Sequence, residues 1–209
     1  MSYATDTLDA FSSRLASKAS TPGGGAAAGL VGALGAALAA MVANLTVGKE
    51  KFAVVEEEMK QVVADAERLR SALLTLMDRD TEAFDQVMAC YRMPKDSDAD
   101  KAARKQALQM ALDTAGEASL DICRACSEVI PLCRVTAERG NPMLVSDAGC
   151  AVAFAEAGLQ AALITVKINA DSLADRDRAE ELWSEGQGLA IAAAEERQKV
   201  LEVVYGRLD

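Results

Sequence analysis

The 209-residue sequence contains no histidine. Its absence removes the commonest general base, the usual partner of a nucleophile and the commonest zinc ligand together. Catalysis in this chain must use carboxylates, lysines, hydroxyls or backbone groups. Aromatic residues make up only 4% of the chain, and there are four prolines. With Ala, Leu and Glu abundant, that scarcity favours helices over sheets, because Ala and straight-chain residues lose little entropy in a helix. A basic excess is missing too: 22 Lys and Arg stand against 32 Asp and Glu, a net charge of −10. No positive face is available for a phosphate backbone, which argues against nucleic acid and disfavours an anionic membrane surface. The five cysteines are odd in number and lack framework spacing, so reduced thiols and a cytoplasmic location are expected. The first twenty residues are mixed polar and amphipathic, without the pattern of a secretory leader.

What the chain does have is material for a core. Hydrophobic residues make up 51% of it, enough for one helical domain over 1–209. No period-2 strands or long linkers appear, so the expected fold is all-α, an up-and-down bundle of long helices. A short amphipathic helix is expected over 5–17, with Leu8, Phe11 and Leu15 on one face. Thr21-Pro22-Gly23-Gly24-Gly25 then turns into a charge-free stretch, 26–45, long enough to test as a membrane span. Its larger side chains, Leu30, Leu34, Leu38, Met41 and Leu45, form one stripe, with Gly and Ala on the other faces. No aromatic anchors or one-sided basic clusters flank it, so a helix buried in a bundle is expected, with Gly48 as its stop.

The next segment, 52–91, is the most regular. Phe52, Val55, Met59, Val62, Ala66, Leu69, Leu73 and Leu76 step by threes and fours, and the phase continues through Asp80, Ala83, Val87 and Cys90. Asp80 stands where an apolar residue belongs. After a loop at Met93-Pro94-Lys95, a helical pattern runs over 98–138, with an interruption expected near Ala118-Ser119 and a kink at Pro131. Gly140-Asn141-Pro142 makes another turn, Ser146-Asp147 opens a second low-charge helix over 148–169, and a last helix covers 173–208.

Each unusual feature has a plain reading beside a functional one. The 23–25 glycines formally fit a dinucleotide fingerprint, but the segment before them is helical and Asn44 stands near the acidic position. What survives is either an ordinary tight turn or a set of N–H groups able to receive an anion or carbonyl oxygen. Asp80 is either a partner in a structural salt bridge or a pocket acid, since an unpaired buried carboxylate is costly. Ser146 is the better helix cap, leaving Asp147 free to point elsewhere. Lys49 and Lys51 are either a solvated pair or, for Lys49, a cation reaching a pocket mouth. Glu156 and Lys167 lie within about 20° on one helix face and read as structural pairing partners. Cys123, Cys126 and Cys133 share a face without a second ligand pair, which reads as packing rather than metal or redox chemistry.

Several of these stretches, in order, resemble one family: Thr21-Pro22-Gly23-Gly24-Gly25, Met41 through Lys49, Asp80-Thr81-Glu82-Ala83-Phe84, Ser146-Asp147-Ala148-Gly149 and Val166-Lys167-Ile168-Asn169. They are similar to the cyclodeaminase/cyclohydrolase family, which includes the formiminotetrahydrofolate cyclodeaminase domain and the stand-alone bacterial methenyltetrahydrofolate cyclohydrolases. The resemblance implies an all-α fold, a homodimer, and a folate one-carbon substrate with no metal or nucleotide cofactor. It implies catalytic roles for Asp80, Asp147 and Lys49. Substrate contacts are implied for Pro22, Gly23, Gly24, Gly25, Asn44, Thr46, Lys51, Asn141, Ser146 and Asn169. Two departures from the pattern stand out: Thr165 where the family usually has Asn, and Ala26 where Ser is frequent. The stretches Lys49-Glu50-Lys51-Phe52 and Met93-Pro94-Lys95 favour the cyclohydrolase over the cyclodeaminase. A folate-binding helical oligomer without catalysis is the alternative of another class.

Overall fold

A computed structural model describes residues 2–208. Among them every regular element is helical. After a 3-10 turn, Tyr3–Thr5, comes α1 (Leu8–Leu15), shorter than the expected 5–17. Its start is fixed by Thr7, whose hydroxyl accepts from the Ala10 N–H at 3.1 Å. Only Phe11 of its apolar face is buried; Leu8 lies open. Phe11 meets the Tyr3 ring edge-on at 5.7 Å, and the two pack with Ala26 and Met77.

The charge-free stretch forms α2 (Gly24–Asn44). Its burial is the reverse of a helix enclosed on all sides by a leucine stripe. The Gly and Ala faces are buried, while Leu34 and Leu45 are each 45% exposed, and Leu30, Leu38 and Met41 are half-buried. The cause is close backbone approach. A Cβ at Gly35 would lie 2.9 Å from the Ala151 carbonyl and Ala155 nitrogen, and one at Gly158 would lie 2.9 Å from the Ala28 carbonyl. Large side chains cannot enter such a contact, so they point away from it. The helix ends at Asn44, earlier than expected. Gly48 therefore closes the following turn rather than the helix, with φ +74° and its N–H donating to Glu56 at 2.8 Å.

That bond also delays the next helix. Residues Glu50–Val55 form a 3-10 stretch, and α3 (Glu56–Tyr91) begins with three glutamates facing its own N-terminal dipole. The predicted seam from Met59 to Cys90 is buried except at Asp80, which is half-buried. Next, α4 (Asp98–Arg139) starts with a capping box between Ser97 and Asp100. It runs unbroken through Ala118-Ser119, where an interruption was expected. Ser119 returns its hydroxyl to the Ala115 carbonyl at 3.0 Å, which satisfies it inside the helix. Pro131 lies within the helix on its exposed side.

A short turn, Pro142–Leu144, capped by Asn141, leads into α5 (Val145–Ser172), and α6 (Arg176–Leu208) follows. Helix α5 runs antiparallel to α2: Gly24 sits against Thr165, and Gly35 against Ala151 and Ala155. By length and composition alone both could cross a bilayer; here their small-residue faces lie against each other, with α3, α4 and α6 around them. One large apolar core, including Leu69, Leu73, Leu120, Leu159 and Leu182, fills the space between α2 and α6.

Candidate active site

A cavity of about 360 Å³ opens where the N-terminus of α2 meets α3, α4 and the last turns of α5. Its walls are mostly apolar: Phe84, Val87 and Met88 from α3, Leu112 and Ala115 from α4, and Ile168 from α5. The polar groups are few. Gly23, Gly24 and Gly25 supply backbone, Thr81, Thr165 and Asn169 supply neutral side chains, and Asp80 is the one charged residue in the lining.

Asp80 is placed there by the seam itself, since its position faces the core of the bundle. Gly25 makes the room. A Cβ at Gly25 would overlap both carboxyl oxygens of Asp80, so only glycine permits this approach. The Ala26 N–H, in the first turn of α2, and Ser119 of α4 are the polar neighbours that favour the ionised carboxyl. No ion pair is formed by Asp80 among the described residues. This excludes the structural salt bridge, and Arg79, its neighbour in sequence, pairs instead with Asp121 at 3.1 Å. Burial raises the Asp80 pKa above the ordinary carboxyl value, and these two neighbours oppose that rise only in part. A carboxyl in this setting can take a proton from water or a nitrogen more readily than a solvated one.

The residues expected at the site divide into two groups. Gly23, Gly24, Gly25, Asp80 and Asn169 line the cavity, and Pro22 is buried beside it. Lys49, Lys51, Asn44, Thr46, Asn141, Ser146 and Asp147 gather at the opposite end of α2, which at 21 residues is about 30 Å long. Within one chain they do not meet Asp80. At that far end, Thr46 and Asn141 serve the fold: the Asn141 N–H donates to the buried Thr46 hydroxyl at 2.9 Å, and that hydroxyl donates to the Val42 carbonyl at 2.7 Å. Ser146 is exposed and does not cap α5, because the helix already begins at Val145. Asp147 is half-buried in the first turn of α5. Lys49 and Lys51 are exposed, with the Lys51 ammonium 4.6 Å from the centre of the Phe52 ring.

Two further expectations resolve at the level of side chains. Glu156 and Lys167, expected as pairing partners across another helix, take separate partners: half-buried Glu156 faces Arg197 of α6 at 3.9 Å, and exposed Lys167 bonds Asp171 of its own helix at 2.6 Å while covering the Trp183 ring. Cys123, Cys126 and Cys133 are buried free thiols, and burial pushes Cys123 and Cys133 up to about 12. They pack the core.

Sequence reasoning missed Ser119. Its signal was a lone hydroxyl in an apolar stretch of α4, and it was read as a break in the helix. Also missed were Phe84, Met88, Tyr91 and Leu112, which look like ordinary helix residues until α4 and α5 close around them.

Comparison with known proteins places the chain in a family. The family model described as formiminotransferase-cyclodeaminase matches residues 7–187. The chain belongs to the formiminotransferase-cyclodeaminase family. Within it, the chain is 46% identical to the methenyltetrahydrofolate cyclohydrolase of Methylorubrum extorquens over 98% of both sequences. It is 31% identical to the rat formimidoyltransferase-cyclodeaminase over 81% of this chain, matching 31% of that longer protein. The crystal structure of the formiminotetrahydrofolate cyclodeaminase from Thermotoga maritima superposes with a TM-score of 0.88, at 31% identity and over 98% of both chains. The family's all-α architecture is therefore the one adopted here.

Proposed function

We propose that the protein hydrolyses 5,10-methenyltetrahydrofolate to 10-formyltetrahydrofolate. The observation that carries this reading is a single half-buried carboxyl with raised proton affinity, Asp80, facing an apolar cavity. It stands in a chain 46% identical, end to end, to a cyclohydrolase. The substrate carries a cationic carbon between its 5- and 10-nitrogens. A carboxylate beside that cation stabilises it and orients water toward it. As water adds, one of its protons passes to Asp80 and a neutral tetrahedral carbon forms. Collapse then breaks the bond to the 5-nitrogen: the Asp80 proton goes to that nitrogen, and the hydroxyl proton leaves to solvent as the formyl C=O forms. One proton is released overall. The chemistry asks for water and a proton acceptor, so our reading includes no metal or nucleotide cofactor, and the five free cysteines support a reducing, cytoplasmic setting.

The reading also includes a homodimer. The outer stripe of α2 exposes Leu34 and Leu45, and α5 exposes Phe154, Ile164 and Ile168. A second copy laid antiparallel on α2 would cover this face. Its Lys49 and Asp147 corner would then approach the first copy's glycine turn, joining the two groups of residues that one chain holds apart.

The cyclodeaminase reaction passes through the same kind of tetrahedral carbon with ammonia leaving, and the high structural likeness to a cyclodeaminase keeps it as a second reading. One experiment separates them. Purified protein should bleach methenyltetrahydrofolate absorbance, should release little ammonia from formiminotetrahydrofolate, and should lose about 10²–10⁴ in kcat as Asp80→Asn. Ammonia release at the faster rate would reverse the assignment.

A further inference from the structure

Two helices outrun α2 at the cavity. Gly25 sits against Asp80 and Gly29 against Leu73 and Met77, so α3 is antiparallel to α2, as α5 is. Both continue past Gly24, the first residue of α2, and α4 closes the slot between them with Leu112 and Ala115. The cavity is therefore long in one direction. On α3 its wall includes Asp80, Phe84, Met88 and Tyr91, one face of the helix, and from Asp80 to Tyr91 this face runs about 16 Å. Asp80 marks the inner end, against the glycine turn; Tyr91 marks the outer end, where α3 stops.

The outer end differs in chemistry from the inner one. The chain has one Trp, three Tyr and four Phe, and two of these, Phe84 and Tyr91, line the cavity while 39% and 50% exposed. An aromatic ring left half open in a cavity is a surface for another flat ring. Beside the Tyr91 ring stands Arg104 of α4, its guanidinium carbon 5.9 Å from the ring centre. Its Nε and Nη2 donate to the Cys90 and Tyr91 carbonyls at 3.2 and 3.3 Å, which caps α3 and holds the fork in place. Its Nη1 has no acceptor, and Arg104 forms no ion pair, among the described residues. Of the acids in the same corner, Asp98 is held by Lys101 at 2.9 Å and Asp100 by the Ser97 cap, while Asp96 is exposed. In a chain of net charge −10, residues 92–105 hold five Lys and Arg against three Asp.

We propose that Arg104 is a specificity-determining residue: beside the Tyr91 ring, it receives the glutamate carboxylates of a folate substrate at the outer end of the cavity. This rests on the cyclohydrolase reading, which puts the reacting carbon near Asp80. From that carbon the substrate extends through its 10-nitrogen and a benzoyl ring to an anionic glutamate, roughly 10–13 Å by ordinary bond lengths. Laid outward along α3, the benzoyl ring comes level with Phe84 and the carboxylates come within reach of Arg104. Laid inward, the carboxylates would be buried near Asp80 without a cation, which is costly. Lys49 and Lys51 cannot be the partner within one chain, since they stand beyond the far end of α2.

The test compares methenyltetrahydrofolate with methenyltetrahydropteroate, which has the same reacting ring but no glutamate, in wild type and in Arg104→Gln. The ratio of the two KM values is read within one preparation, so unfolded molecules do not enter it. Wild type should favour the glutamate-bearing compound by about tenfold in KM, and Arg104→Gln should bring the ratio near one with kcat little changed. The wild-type preference should shrink as ionic strength rises. Loss of the α3 cap alone would change both KM values together and leave their ratio. Arg104→Lys, which keeps the charge but loses the fork, should give an intermediate ratio, and it decides the matter if Arg104→Gln does not fold. A wild-type ratio near one, or a ratio that neither variant moves, overturns the proposal. Wild-type protein that hydrolyses neither compound overturns the functional reading instead. Calorimetric titration with 5-formyltetrahydrofolate and 5-formyltetrahydropteroate then decides the role of Arg104 by the same ratio, taken from Kd.

Discussion

At the scale of the residue, Asp80 trades stability for chemistry. Its native pKa lies above the ordinary value near 3.8, so the folded protein holds this proton more tightly than the unfolded chain does. Stability therefore falls as pH rises past about 3.8 and levels off once the native carboxyl has ionised. Asp80→Asn should melt at a higher temperature than wild type at pH 8, and the difference should close toward pH 4; thermal scans at the two pH values check it. Gly25→Ala should do the converse of a conservative change. The new methyl would displace the carboxyl from the Ala26 N–H, and kcat should drop to near the Asp80→Asn level with the helices intact by circular dichroism. Asp80 was legible from sequence because a carboxylate breaking an apolar seam has few innocent explanations. Ser119 was not, since a serine that bonds back to its own helix looks the same whether or not an acid sits behind it.

At the scale of the element, the helices and their order were legible, and the direction in which α2 faces was not. Helical periodicity shows which residues share a side, and a leucine stripe is normally the inward one. Here the inward side is chosen by backbone proximity. The Gly35 and Gly158 positions let α2 and α5 touch main chain to main chain, and the leucines are left outside. Gly35→Ala would push its Cβ into the α5 backbone, which no rotamer change relieves. A cost of about 1–3 kcal/mol is expected in urea unfolding, larger than for Gly188→Ala, where a Cβ meets open space. The ends of the helices were read several residues off for similar reasons. Thr7, Gly48 and Glu56 fix them through bonds between segments that a periodic pattern does not register.

At the scale of the whole molecule, the separation of the two residue groups becomes a test of assembly. The motifs along the chain group Lys49, Asp147 and Asp80 together, but order in sequence does not reveal which end of a bundle a residue occupies. If a second copy completes the site, two inactive variants should rescue each other. Asp80→Asn and Lys49→Ala, unfolded together and refolded as an equal mixture, would form mixed dimers in which one site carries both changes and the other neither. Activity should return to about a quarter of wild type, assuming random pairing. A mixture as inactive as its components would show that each site is built from one chain. If the exposed stripe of α2 is the seam of such a dimer, Leu34→Glu should lower the mass seen in sedimentation, and activity with it.

Cys126 carries a consequence of another kind. Its sulfur sits over both Gly32 and Gly158, at the point where α2, α4 and α5 converge, while Cys150 lies on the surface. A small thiol reagent should therefore consume one equivalent at once and reach Cys126 only when three helices part together. The rate of that slow labelling, followed against urea, would report how often the centre of the bundle opens in the native protein.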